Sequence, residues 1–213
     1  MVDSKSTDKS SVFNGINKVI RILSLDAQKC IIDRTLKIKT HTPEDNIFFT
    51  ITPNRCHHCG SVLPIITPVE VSPPIMTDIS INSTISFPWD DMRLLKNFIK
   101  IKIGQANDNP FIYNESNHFS NLLVSPINLF ITGNGYHSTT AGIYDINAIS
   151  YAQYTLDISP LYDKIFFDGI AFRHISCNCI LESPQDKSIG TIYEIGRLLL
   201  KHNLNLLNLM TAK

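Results

Sequence analysis

The chain has 213 residues, 43% of them apolar and 18% charged, and its 19 basic residues balance 19 acidic ones. That balance excludes a disordered or supercharged protein, a strongly basic nucleic-acid coat and an acidic tail. A globule of this size buries roughly 70% of the surface of its unfolded chain, so its core needs no covalent staples.

Residues 1–11 (MVDSKSTDKSS) offer nothing to bury and read as a disordered tail. Over residues 12–33, Phe13, Ile16, Val19, Ile20 and Leu23 fall at helical spacing, with a break expected near Ser24 to Asp26. Residues 35–40 (TLKIKT) alternate and residues 46–52 (NIFFTIT) are β-rich, which predicts a hairpin across 41–45. Residues 64–74 carry Pro64, Pro68, Pro73 and Pro74, the mark of an extended linker or an edge strand and the best place for an internal boundary. Residues 78–87 (DISINSTISF) alternate as a half-buried strand. Pro88, Asp90 and Asp91 then open a helix whose apolar face is Met92, Leu95, Phe98 and Ile99. A strand is expected at 100–103 and a polar, Asn-rich loop at 105–120. Strands follow at 122–124, 129–132 and 136–140, the last two joined by Gly133-Asn134-Gly135, a tight-hairpin signal. A helix or long turn is expected over 145–156, then strands at 164–167 and 170–181 about the turn Asp168-Gly169. Thr191 to Glu194 fits a capping box, and Ile195, Leu198, Leu199 and Leu206 continue its helix as an apolar stripe. The class is α+β: a mainly antiparallel sheet, a few helices and a structural zinc knuckle in one domain over 12–213.

Five cysteines with C-x-x-C and C-x-C spacings are no disulfide ladder, and in a reducing compartment they read first as metal ligands. Cys56-x-x-Cys59-Gly60 is a half-site: two thiolates three residues apart turn onto one ion when the backbone forms a knuckle. Cys177 and Cys179, on one side of an extended strand, are the candidates to complete a four-cysteine Zn2+ site. His57, His58 or His174 in place of one cysteine is an alternative, as is a set of ordinary free thiols. Cys30 reads as a core residue. Four thiolates close the coordination sphere, so the expected role of the zinc is structural.

The run RCHHCGSVL, Arg55 to Leu63, resembles the zinc-binding start of the small zinc-bearing subunit of RNA polymerases, and the resemblance implies zinc. In that family the second pair is an adjacent Cys-Cys before a helix, whereas here one residue separates Cys177 and Cys179. Leu129 to Gly133, then Thr139-Thr140-Ala141, then a stretch with Ala148 and Tyr154, is similar to half of a TATA-box-binding-protein repeat. That resemblance implies the order strand, glycine turn, strand, helix, with Thr140 where the family prefers glycine.

Other candidates carry less chemistry. Asp90 and Asp91 complement a helix dipole. Gly133-Asn134-Gly135-Tyr136-His137 has the glycines of a phosphate loop but reads as a hairpin turn. His118, His137 and His174 accompany no nucleophile motif. Arg93, Lys96, Lys100 and Lys102 form a basic patch for nucleic acid or an acidic partner. No stretch approaches the ~20 apolar residues of a membrane-spanning helix, and the polar start has no leader-like core, so an intracellular protein is expected. The richness in Ile, Asn and Lys is that of an AT-rich genome, such as a large DNA virus. The expected function is a non-enzymatic, zinc-stabilised component of a larger, transcription-related assembly with protein partners. A viral structural or scaffold protein, or an enzyme with a dispersed His/Asp site, stands as the alternative.

Overall fold

The computed structural model describes residues 9–38, 54–101 and 110–204. Its first element, α1 (Lys9–Ile38), begins inside the expected tail and runs 30 residues without the break expected at Ser24–Asp26. Ser24 is buried and returns its hydroxyl to the Arg21 carbonyl at 2.8 Å, which satisfies the side chain inside the helix. Thr35, expected to open a strand, is likewise buried in the helix, its hydroxyl on the Ile31 and Pro88 carbonyls. The strand expected at 46–52 lies outside the described residues.

The buried face of α1 carries Ile20, Ala27 and Ile31 together with polar side chains that reach the chain beyond. Gln28 exchanges two hydrogen bonds with the Ser86 backbone, at 2.9 and 2.7 Å. Arg21 donates to the Ser80, Asn82 and Ile143 carbonyls. Gly15, by contrast, is exposed, and a Cβ there would meet nothing within 4 Å. Gly15→Ala is therefore expected to stabilise the protein by about 0.5–1 kcal/mol, read as a raised urea midpoint at unchanged slope.

Five strands form the larger sheet: β1 (Val69–Asp78), β2 (Thr84–Ile85), β3 (Leu122–Ser125), β4 (Leu129–Ile131) and β5 (Ile149–Asp157), in the order β1-β5-β3-β4-β2. β1 pairs with β5, and β3 with β4, antiparallel; β3 with β5, and β2 with β4, run parallel. Of the two readings of the proline-rich segment, the edge strand is the one found. Pro73 and Pro74 lie where the β1 register shifts between Glu70 and Ile75, and a missing amide donor is tolerated there. The strand expected over 78–87 is interrupted by a turn closed by the Asn82 amide on the Asp78 carbonyl, so Thr84 and Ile85 alone pair with β4.

Helix α2 (Asp91–Lys100) starts where expected, with the Asp90 carboxylate accepting from the Arg93 amide at 2.7 Å. Its apolar face is turned from the expected one. Leu94 is fully buried, while Met92, Leu95 and Ile99 are 56%, 43% and 77% exposed. The strand expected at 136–140 is a helix, α3 (Tyr136–Ile143). Gly135 at φ 76° swings the chain out of β4, and the Thr140 hydroxyl folds back onto the Tyr136 carbonyl at 2.8 Å. Where a helix or turn was expected over 145–156, the strand β5 runs between two neighbours and buries Ser150, Ala152 and Leu156. Its alternation is interrupted where the Gln153 and Tyr154 amides both bond the Asn121 carbonyl, so Ala152 and Leu156 face different cores. Residues 129–157 thus run strand, helix, strand, where the TATA-box-binding-protein resemblance implies strand, strand, helix.

A second, antiparallel sheet follows a 3-10 turn at Ser159–Asp163: β6 (Ile165–Phe167), β7 (Phe172–His174) and β8 (Ile180–Glu182). The last helix, α4 (Lys187–Lys201), is capped by Asp186 rather than by Thr191. Thr191 bonds inside the helix to the Lys187 carbonyl, and Glu194 accepts from the Phe167 amide. Ile192, Tyr193, Gly196 and Leu199 are its buried face; Leu198 is exposed and Leu206 lies outside the described residues.

The fold is α+β, and four of the six strand pairs among the described residues are antiparallel. Alternation buries the larger sheet on both faces: Val124, Leu129, Ile131 and Leu156 join the core shared with α1 and α4. Leu123, Phe130 and Ala152 join a smaller core with Ile79, Phe111 and Ala141. No helix among the described residues is long and apolar enough to cross a membrane.

Candidate metal centre

The Cys56 segment is a tight knuckle. The Gly60 amide closes onto the Cys56 carbonyl and the Cys56 amide onto the Ser61 carbonyl, both at 2.9 Å. Gly60 sits at φ 70° with open space around it, so its glycine is required by backbone conformation, not by crowding. Arg55 and Val62 form a β-bridge behind the turn, and fully buried Leu63 roots the knuckle in the main core. Arg55 bonds the Gly60 carbonyl.

The second half lies in the turn between β7 and β8. An extended strand was expected through Cys177 and Cys179. Instead Asn178 adopts φ 57°, its amide bonds the His174 carbonyl, and the His174 amide bonds the Cys179 carbonyl. This turn draws the Cys177 and Cys179 sulfurs to 3.2 Å and aims His174, the last residue of β7, at the same point.

The two halves meet. Cys56 Sγ lies 3.6 Å from Cys177 Sγ and 3.1 Å from Cys179 Sγ, although 121 and 123 residues separate them in sequence. His174 Nδ1 lies 3.8 Å from Cys59 Sγ and 3.5 Å from Cys177 Sγ. The ligand atoms of Cys56, Cys59, His174 and Cys177 are all within 4.8 Å of one another, close enough to hold a metal ion. All five cysteines are free thiols. A tetrahedral ion with bonds of about 2.3 Å to sulfur and 2.0 Å to nitrogen needs ligand separations of about 3.8 Å for S···S and 3.5 Å for S···N. The 3.6 Å S···S and the 3.5 and 3.8 Å S···N separations come within about 0.3 Å of those edges, whereas Cys179 stands closer than the S···S edge to Cys56 and Cys177, at 3.1 and 3.2 Å; the donor set fits a thiophilic ion. Five donors surround a point that offers four places.

Electrostatics favour a cation here. The Cys59 amide pointing at the Cys56 sulfur, helped by the Cys179 thiol and the His58 amide, lowers the Cys56 thiol to about 6. Burial, and then the neighbouring Cys56 and Cys177 sulfurs, push Cys179 up to about 12. Sulfurs this close cannot all shed their protons unless a positive ion takes their place.

Cys56 and His174 are each 1% exposed, Cys177 and Cys179 are half-buried, and Cys59 reaches solvent. Of the three histidines considered as alternatives, His174 joins the cluster; His57 and His58 are exposed and outside it. Cys30, expected in the core, is instead an exposed thiol on α1, where a hydrogen bond to the Asp186 carboxylate raises it to about 11. Arg93, Lys96 and Lys100 are exposed on α2, with the Arg93 guanidinium 4.9 Å from the Trp89 ring; Lys102 lies outside the described residues. Asp90 is a helix cap, and Asp168 accepts the Ile170 and Ala171 amides as a turn residue.

No curated protein and no solved structure matches the chain. The profile of a family described as "family of unknown function (DUF6710)" matches residues 1–206, a span that includes both halves of the cysteine cluster, and the chain belongs to that family.

Proposed function

We propose that the chain binds one zinc ion through Cys56, Cys59, Cys177 and Cys179, with His174 donating its Nδ1 proton to the thiolates. The ion is structural, tying the knuckle to the β7–β8 turn in a non-enzymatic component of a larger, transcription-related assembly. The observation that carries this reading is the approach of the Cys56 sulfur to within 3.6 Å of the Cys177 sulfur, which joins the two halves of the chain at one point. His174 Nε2 is buried with no partner among the described residues. A histidine bound to metal through Nδ1 would leave an unpaired N–H there, whereas metal-bound histidines almost always donate that proton. A second set, with His174 replacing Cys179, is favoured by the 3.5 and 3.8 Å separations. Either set fills four places and leaves none for a reactive water.

Free thiols at this density suit a reducing, intracellular compartment. Exposed Arg93, Lys96 and Lys100, interleaved with exposed Met92, Leu95 and Ile99, suit contact with an acidic protein or nucleic-acid partner. Protein purified without chelator is expected to carry about one zinc per chain, and cobalt exchanged into the site to show thiolate charge-transfer bands. Cys179→Ser is expected to weaken those bands and His174→Gln to leave them. The reverse pattern assigns the fourth place to His174, and metal-free protein that still melts normally overturns the proposal.

A further inference from the structure

A cleft of about 560 Å³ opens between α2 and the start of α3, far larger than a lone ion needs and within the roughly 300–1,000 Å³ of small-molecule sites. We infer that it binds a phosphate monoester of mononucleotide size, the phosphate at the N-terminus of α3 and the organic part against Trp89 and Phe111. This deepens the reading of the α2 cations as anion-recognising and is independent of the metal.

Charge comes first. Arg93 and Lys100, one heptad apart on α2, both line the cleft; Lys96 does not, and no acidic residue does among the described residues. Helix α3 supplies the second element. It starts at Gly135 with no side-chain cap, and the amides of His137 and Ser138 have no partner among the described residues. Uncapped amides at the positive end of a helix are donors aimed at an anion. The Gly133-Asn134-Gly135 run, read from sequence as a hairpin, in fact joins β4 to α3, the strand-to-helix context in which such a loop holds phosphate.

His137 points independently to a ligand. It lines the cleft at only 9% exposure, and its Nε2 accepts from the Asp90 amide at 3.2 Å, so Nδ1 carries the proton. That N–H has no partner among the described residues. Burial lowers the pKa of His137, which keeps the ring a neutral donor near pH 7.

The cleft also contains a Ser–His contact, His118 Nε2 to Ser138 Oγ at 2.8 Å. His118 Nδ1 accepts from the Asn114 amide, so Nε2 is protonated and donates to Ser138, whose own hydroxyl proton goes to the Gly135 carbonyl. A histidine in that tautomer takes no proton from the serine. The pair braces the α3 turn, and the assignment is binding rather than hydrolysis.

Trp89 is the only tryptophan of the chain and lines the cleft, so its fluorescence reports occupancy, with calorimetry as the second readout. Full-length protein is titrated with AMP, inorganic phosphate, adenosine and a single-stranded oligonucleotide. AMP is expected to bind saturably, phosphate to compete with it more weakly, and adenosine not to bind. Arg93→Met and Lys100→Met, both at exposed positions, are each expected to weaken AMP about tenfold, the usual loss of a charge-assisted contact. Lys201→Met, at an exposed position on α4 that does not line the cleft, is expected to leave AMP binding unchanged. Equal binding of adenosine and AMP, binding of the oligonucleotide without AMP, or indifference to both cleft substitutions overturns the inference. Zinc content of the same variants, measured alongside, stays at the wild-type value, so a failure here is distinguishable from a failure of the metal reading.

Discussion

Serine in place of Cys56 or of Cys177 is expected to release the metal and lower the melting temperature by about 10 °C or more, to the same extent in both variants. An ion shared by Cys56 and Cys177 would close a loop between residues 121 apart. A cross-link over a loop on the order of 100 residues restricts the unfolded chain by about 4–5 kcal/mol. For a chain near 200 residues each kcal/mol moves the melting temperature by roughly 2–4 °C. A strong chelator is expected to bring the wild-type protein to the melting temperature of the variants and to leave the variants where they are. Differential scanning fluorimetry with parallel metal analysis reads both arms. If Cys177→Ser keeps its full metal content, the two halves do not share one ion.

The second large effect lies at the contact of α4 with the 3-10 turn. A Cβ at Gly196 would stand 1.9 Å from Tyr162 Oη and 2.7 Å from Ile127 Cγ2. Tyr162 has no room to yield: it is 4% exposed and packed on Tyr193 with ring centroids 4.6 Å apart. Gly196→Ala is therefore expected to destabilise the protein by about 3 kcal/mol, the upper range for overpacking a closed core, measured by urea unfolding. The nearest clash is with a hydroxyl that is itself buried without a partner among the described residues. Tyr162→Phe removes that oxygen. It is expected to be near neutral alone and to recover more than half of the loss in the double variant, a coupling that distant sites do not show. Additive losses in that cycle would place the damage elsewhere than at this contact.

What could be read from the residues follows from which signals are local. The cysteine pairs were legible as two halves of one site because thiols at C-x-x-C and C-x-C spacing have a narrow set of uses. The place of His174 in the cluster was not, because it enters through an αL turn at Asn178 that no pattern announces. Strands β3 and β4 stood out as short apolar runs. Helix α3 did not: Tyr136, Thr139 and Thr140 favour strand by propensity, and the turn at Gly135 overrides them. In β5 the small inward residues Ser150 and Ala152 hid an alternation that a larger pair would have displayed. Helix α2 was found with its face misassigned, since periodicity marks an apolar stripe without saying whether anything covers it. The cleft was invisible for a different reason: its walls come from separate segments and exist only once α2 lies beside α3.

The long helix α1 has partners near residues 80–88 and others late in the chain. Ser188 donates its hydroxyl to Asp26 at 2.8 Å across 162 residues, and Arg21 reaches the Ile143 carbonyl across 122. On the ribosome, then, α1 is finished early, meets β2 and the Ser86 backbone first, and completes its packing only when α4 has been made. A chain halted before residue 187 leaves the part of α1 that α4 covers open to solvent, which makes incomplete copies the natural clients of chaperones and proteases while the finished protein is spared.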